Sequence, residues 1–259
     1  MNYFIEGLQG SGKTTLAERL AQMHPDHRVF HEGDYSPVEL AWCAYVEEKE
    51  YEEIPERYRD LSSAIREKTH EEGDHRIICY TKVRTENRDF YRDLERYEIY
   101  NGRVPLSKLE EIILRRYRNY EGDRGIFECS LLQNTVEDMI LFHERSDEEI
   151  LSFYRKVSKA LADRDIRILY LKSEDIEGNI ARVRKERIDA QGREVWFEAV
   201  CDYFDHSPYA VKNSLSGERD LFDHLKHRQE LELRICEEVF ADCYTILRSK
   251  DHDLMKTDL

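Results

Sequence analysis

The amino-acid sequence predicts an α/β fold: a parallel five-stranded sheet with helices on both faces and a helical insertion. Two observations lead there. Short apolar, β-rich runs recur at residues 3–6, 28–31, 125–128, 166–171 and 244–247, the pattern of strands buried on both faces. Between them lie long stretches with helix-start signals. Ser36-Pro37-Val38-Glu39 combines an N-cap serine, a proline at the first helical position and a glutamate at the third. Ser107 with Glu110, Asn134 with Glu137 and Ser146 with Glu149 repeat the three-residue offset. These signals and the periodicity predict helices near 14–22, 37–49, 55–72, 86–97, 108–119, 135–144, 147–162, 174–188, 193–205 and 217–240. A sixth strand candidate is Arg76-Ile77-Ile78-Cys79-Tyr80. No repeat, low-complexity tract or flexible linker breaks the chain, so residues 1–259 read as one domain, with an insertion over about 35–124.

Composition narrows the function classes. Of 259 residues, 40% are hydrophobic, enough for a core, and 37% are charged. The 55 acidic side chains outnumber the 40 basic ones, for a formal charge of −15. Such a field repels nucleic-acid backbones and anionic membranes, so neither is an expected partner. No apolar run approaches the roughly 18 to 20 residues that span a bilayer. The N-terminus leads within a few residues into a glycine-rich motif, and no cleavable signal is expected. The six cysteines, Cys43, Cys79, Cys129, Cys201, Cys236 and Cys243, form no CxxC pair. They read as reduced thiols in a cytoplasmic protein, not as a zinc site.

Gly7-Leu8-Gln9-Gly10-Ser11-Gly12-Lys13-Thr14 matches G-x-x-x-x-G-K-[ST] in full, the Walker A pattern. A strand ends at Glu6, and the chain must then wrap closely around an anion. Gly7, Gly10 and Gly12 permit backbone angles that a side chain would forbid. Successive amides then point inward, and a helix beginning near Lys13 adds the positive end of its dipole. Lys13 is expected to reach the β- and γ-phosphates of a nucleoside triphosphate, and the Thr14 hydroxyl to ligate Mg2+.

The segment Phe4-Ile5-Glu6-Gly7-Leu8-Gln9-Gly10-Ser11-Gly12-Lys13-Thr14-Thr15 resembles the opening of thymidylate kinases and deoxynucleoside kinases. Both use a Glu-Gly pair at the end of the first strand and a Gly-Ser-Gly-Lys-Ser/Thr-Thr segment. The likeness is close over about a dozen residues and one of layout beyond them. It implies a P-loop kinase-type three-layer sandwich with strand order 2-3-1-4-5. It also implies ATP with Mg2+ on the loop, held by Gly7, Gln9, Gly10, Ser11, Gly12, Lys13, Thr14 and Thr15.

A phosphoryl transferase also needs an acceptor site, an acid near the metal and cations for the moving phosphate. Glu32-Gly33-Asp34 follows strand two, and ligands of open parallel sheets sit beyond strand ends. Asp34 is the candidate to orient or deprotonate an acceptor hydroxyl, with Glu32 second. Ile126-Phe127-Glu128-Cys129-Ser130 resembles the strand-end Glu-Arg-Ser of deoxynucleoside kinases. Glu128 and Ser130 match, Cys129 replaces the arginine, and Glu128 is the candidate metal-side acid. Ile180-Ala181-Arg182-Val183-Arg184-Lys185-Glu186-Arg187 resembles the lid of such kinases, within a region spanning about 174–216. Arg184 and Arg187 share a helix face and are the lid candidates, with Arg182 third.

Val38, Trp42 and Tyr45 recur at helical spacing in the insertion and could bind a ring, although most such stripes are core. Lys82, Arg84 and the run Arg115-Arg116-Tyr117-Arg118 lie in the same segment. Gln133 and Asn134 could read acceptor edges. His224 and His227 sit on a helix whose charge reads as solvated, not as metal-binding. The expectation is therefore an ATP- and Mg2+-dependent kinase with a small-molecule acceptor, and a homodimer stays open. The competing class is a regulatory P-loop NTPase without an acceptor, yet no NKxD or DxxG motif is evident. A polynucleotide end kinase would need a basic groove that the net charge disfavours.

Overall fold

The structure, a computed structural model, describes residues 1–189 and 191–249. The end of the expected domain, residues 250–259, and Ala190 of the expected lid region lie outside the described residues. Among those described, eight strands form: β1 (Asn2–Gly7), β2 (Arg28–Phe30), β3 (Ala44–Glu47), β4 (Thr69–Glu72), β5 (His75–Ile78), β6 (Gly125–Glu128), β7 (Ile166–Lys172) and β8 (Tyr244–Arg248). The helices are α1 (Lys13–Met23), α2 (Glu48–Arg57), α3 (Ser62–Glu67), α4 (Arg88–Glu95), α5 (Leu106–Asn119), α6 (Gln133–Leu141), α7 (Asp147–Ala160), α8 (Ile176–Glu186), α9 (Val195–Asp205), α10 (Pro208–Asn213) and α11 (Gly217–Val239). The chain divides into two compact units, Met1–Val29 with Glu121–Leu259, and Phe30–Tyr120.

The first unit is built on a five-stranded parallel sheet in the order β2-β6-β1-β7-β8. The expected order, 2-3-1-4-5, counted five strands only. Three strands of a separate sheet fall between the second and third of those in sequence, which changes the numbering to the one observed. All six residues of β1 are buried. Alternation sends Tyr3 and Ile5 to one face, where they meet Leu16, Ala17 and Leu20 of α1. Phe4 faces the other way, its ring 4.9 Å from that of Phe127. On that side Tyr170 of β7 donates to Glu232 of α11 at 2.6 Å, so helices cover both faces. The Ser146 capping box at the start of α7 forms as expected, with Ser146 and Glu149 bonded reciprocally.

The second unit carries a three-stranded antiparallel sheet, β3-β5-β4, over a core of Val46, Ile54, Ile65, Ile78, Phe90 and Leu94. The sixth strand candidate is therefore a strand, but of this sheet. The helix expected over 37–49 is absent. Ser36 does accept hydrogen bonds from the amides of Val38 and Glu39. The Glu39 carboxylate, however, turns forward to the amides of Leu40 and Ala41, at 2.6 and 2.8 Å, instead of back to Ser36. Trp42 then adopts φ 62, and the β-prone Ala44-Tyr45-Val46 pairs with β5. The helix expected over 55–72 divides likewise: α2 ends at Arg57, just past Pro55, and 69–72 becomes β4.

Candidate functional site

In the first unit, β1 runs into the glycine-rich loop and the loop into α1. Gly7, Gly10 and Gly12 have φ of 135, 75 and 101, angles that disfavour any side chain. Space is equally restrictive at Gly10, where an added Cβ would stand 2.2 Å from Val183 Cγ2 of α8. Gly12 occupies the N-cap of α1 with no side-chain cap. The first amides of α1, on Lys13, Thr14 and Thr15, have no intrahelical acceptor by the geometry of a helix start. Lys13 is buried, and its ammonium donates to the carbonyls of Gly7 and Leu8, both at 2.8 Å. An ammonium has three donors, so one remains. Ser11 is fully buried, and its hydroxyl has no hydrogen-bond partner among the described residues. Thr14 donates to Glu128 Oε1 at 2.5 Å. The loop glycines, Lys13, Thr14 and Glu128 thus come together as a unit at the ends of two adjacent strands, β1 and β6.

Behind this lies a buried frame. Glu6 accepts from the amides of Leu131 and Gln133, fixing the entry to α6. Burial raises its pKa to about 7, against the opposing pull of those amides. Cys129, between Glu128 and Ser130, adopts φ 56 and donates its amide to the Ile5 carbonyl. Asn134 donates to the Cys129 carbonyl and so braces the turn after β6, and Gln133 beside it is buried. Arg228 of α11, wholly buried, donates to Gln9 Oε1 at 2.9 Å. It also lies 3.1 Å from Glu137 and 3.2 Å from Glu232, contacts close enough for ion pairing but not aligned as hydrogen bonds. Burial would raise the Glu137 pKa, yet the charges of Arg228 and His224 outweigh it and hold the pKa near 2. Glu232 goes the other way, raised by burial against the pull of Arg228.

The reading of α11 as solvated is therefore corrected. His224 is buried, bonded to Glu137 at 2.8 Å and stacked on Phe204, while His227 pairs with Asp147. Sequence reasoning missed Arg228. The signal was present: Leu221, Leu225, Arg228, Glu232 and Ile235 recur at three- and four-residue steps, an inward stripe with charges inside it.

Of the lid candidates, Arg184 is held by two carboxylates, Glu194 at 2.6 Å and Glu218 at 2.7 Å, and lies over the Phe197 ring. It ties α8 to the start of α9 and to α11. Arg187, just past α8, is exposed and stacks on Trp196 with no ion pair among the described residues.

In the second unit, Asp34 pairs with Lys82 at 2.9 Å and accepts from the His31 amide at 3.0 Å. The Val38, Trp42 and Tyr45 stripe does not exist, because its helix does not form. Val38 is core, and Tyr45 stacks on His75 and accepts from Arg115. Arg116 is buried against Glu72 and the Ser36 carbonyl. Trp42 alone of the stripe is exposed. Among the described residues no cluster of three or more His, Cys, Asp or Glu side chains could by itself hold a metal, and no helix is long and apolar enough to cross a membrane.

A strand, a tight glycine loop and a helix start carrying a buried lysine form a candidate anion-binding site in an α/β protein. No family model and no curated protein sequence matches the chain.

Proposed function

We propose that the chain is an ATP- and Mg2+-dependent phosphotransferase of P-loop kinase type, a three-layer sandwich in a cytoplasmic setting, acting on a small-molecule acceptor. One observation carries this reading: Lys13 is clasped by the carbonyls of Gly7 and Leu8 at the head of α1, beside the Thr14–Glu128 hydrogen bond. The residues fit a triphosphate. Ser11 offers a buried hydroxyl without a partner among the described residues, Lys13 a remaining donor, and α1 its first amides. Thr14 and Glu128 would hold Mg2+, and the ion when bound would supply neutralisation of phosphate charge.

The chain's own residues divide the remaining work. The glycines let the backbone approach phosphate oxygens closely. Arg228 holds Gln9, and through it the crest of the loop. Glu6 fixes the turn after β6 from which Glu128 projects. Arg187, stacked on Trp196 and without an ion pair among the described residues, is the lid cation, whereas Arg184 holds the lid helix in place. Asp34 holds the acceptor hydroxyl.

Calorimetric titration of MgATP into the parent and into Lys13→Ala tests the reading. The parent should bind, and the variant should bind at least about a hundredfold more weakly, a buried charged contact being lost. Unchanged affinity in a folded Lys13→Ala protein would overturn it.

A further inference from the structure

Around Asp34, three segments of the second unit meet at close quarters. Gly33 has φ 81, and a Cβ there would stand 2.9 Å from Thr81 Oγ1, 3.3 Å from Lys82 Cε and 3.7 Å from Trp42 Cβ. Only glycine allows this approach. Thr81 donates to the Trp42 carbonyl at 3.4 Å. The Cys43 thiol, next in the chain, lies 3.8 Å from the carbonyls of both Gly33 and Asp34. Trp42 itself has φ 62, a left-handed angle that is rare for so bulky a residue. Such strain persists where the surroundings over-determine the backbone, and it gathers at ligand sites. The neighbours are buried: Ala41 and Cys43 are core, while Trp42 between them is 48% exposed.

On the other side of Gly33 from the Trp42 Cβ stands an ion pair. One Asp34 oxygen meets Lys82 and the other accepts from the His31 amide. The Lys82 and Asp34 side chains are 37% and 38% exposed, so each also faces solvent. The ammonium has two donors beyond the one given to Asp34, and the carboxylate has lone pairs to spare. An exposed aromatic residue, a hydroxyl acceptor and a point cation thus meet around Gly33, with the Trp42 Cβ and Lys82 Cε both close to the space its missing side chain would fill.

We infer that this cluster is the acceptor site, and that the acceptor is a ring alcohol carrying an anionic group, a phosphate monoester or a carboxylate. The ring lies on Trp42, its hydroxyl donates to Asp34, and its anion takes the remaining donors of Lys82. A neutral alcohol would use Asp34 but leave the ammonium to water. The inference rests on the phosphotransferase reading for its purpose, but not for its test.

The test is calorimetry on the full chain with matched pairs of probes: ribose and ribose 5-phosphate, uridine and uridine monophosphate, glucose and glucuronate. At least one anionic member should bind about tenfold or more tightly than its neutral partner, as a charge-assisted contact provides. The phosphate and carboxylate pairs tell the two anions apart. Lys82→Met should erase the preference and Lys82→Arg should keep it. Trp42→Ala should weaken both members of the pair, and Trp42→Phe should restore them. Lys13→Ala should leave the preference intact. Equal binding within every pair, a preference that survives Lys82→Met, or no binding by any probe at millimolar concentration would overturn the inference. So would loss of the preference in Lys13→Ala, which would move the anion to the glycine loop. Titrating the same preparations with MgATP separates a failure here from a failure of the nucleotide site.

Discussion

The guanidinium of Arg228, in the middle of α11, donates to the side-chain carbonyl of Gln9 in the glycine-rich loop. Because Arg228 is fully buried between Glu137 and Glu232, it cannot be removed without leaving charge uncompensated. Arg228→Met should therefore cost about 3–5 kcal/mol of stability, read by urea unfolding at neutral pH. Gln9→Leu should cost less, about 1–3 kcal/mol, as one buried donor loses its acceptor. The double variant should fall short of the sum, since both changes break the same bond. Additive losses would show that the two side chains do not act together.

Gly10 makes a second, sharper prediction. Ala at this position meets Val183 at 2.2 Å and keeps an unfavourable φ of 75. Gly10→Ala should lose about 1–3 kcal/mol through overpacking and should weaken MgATP binding as the loop shifts. Adding Val183→Ala should recover part of the stability, because it opens the space but leaves the backbone angle. A Gly10→Ala protein that melts with the parent would contradict the packing described for α8.

Stability should also depend on pH through Glu6. Its pKa is raised by burial from 4.5 to about 7, so the folded state binds a proton that the unfolded state releases. The corresponding stabilisation is fully present below about pH 4.5 and is lost as pH rises through 7, a change of about 3 kcal/mol. Glu6→Gln should flatten this component, so the difference between variant and parent should vary from pH 4.5 to 7 and level off above. Glu98, also raised to about 7 by burial, contributes equally to both proteins and cancels. A constant difference across that range would show that Glu6 is ionised throughout.

The features legible in the chain and those hidden in it divide along physical lines. The central strands β1, β6 and β7 were legible because burial on both faces leaves a short apolar run, as in Tyr3-Phe4-Ile5 of β1, whereas the half-exposed edge strands β2 and β8 showed only as short β-rich runs. The loop was legible because its glycines answer a local backbone demand. The capping signal at Ser36 misled because a cap reports only a turn. The same hydroxyl-to-amide bonds form, but Glu39 and the pairing of β3 set the path of the backbone beyond the turn. Roles set by distant partners were not legible. The two carboxylates that hold Arg184, Glu194 and Glu218, come from beyond its own helix, and the ion-pair partner of Lys82, Asp34, lies 48 positions earlier.

The neighbouring positions of β2 and β6 in a parallel sheet constrain how this chain could be shortened. Parallel neighbours cannot be joined by a tight turn; the chain must cross back over a dozen or more residues before it can run in the same direction again. The long excursion between these strands is therefore also the return path of the backbone. A minimal scaffold built on the parallel sheet could shed the antiparallel one, but any deletion that sealed β2 directly to β6 would force the edge strand to reverse or leave the sheet. Trimming has to stop at a linker the length of a single helix, and grafting a foreign module has to respect the same lower bound.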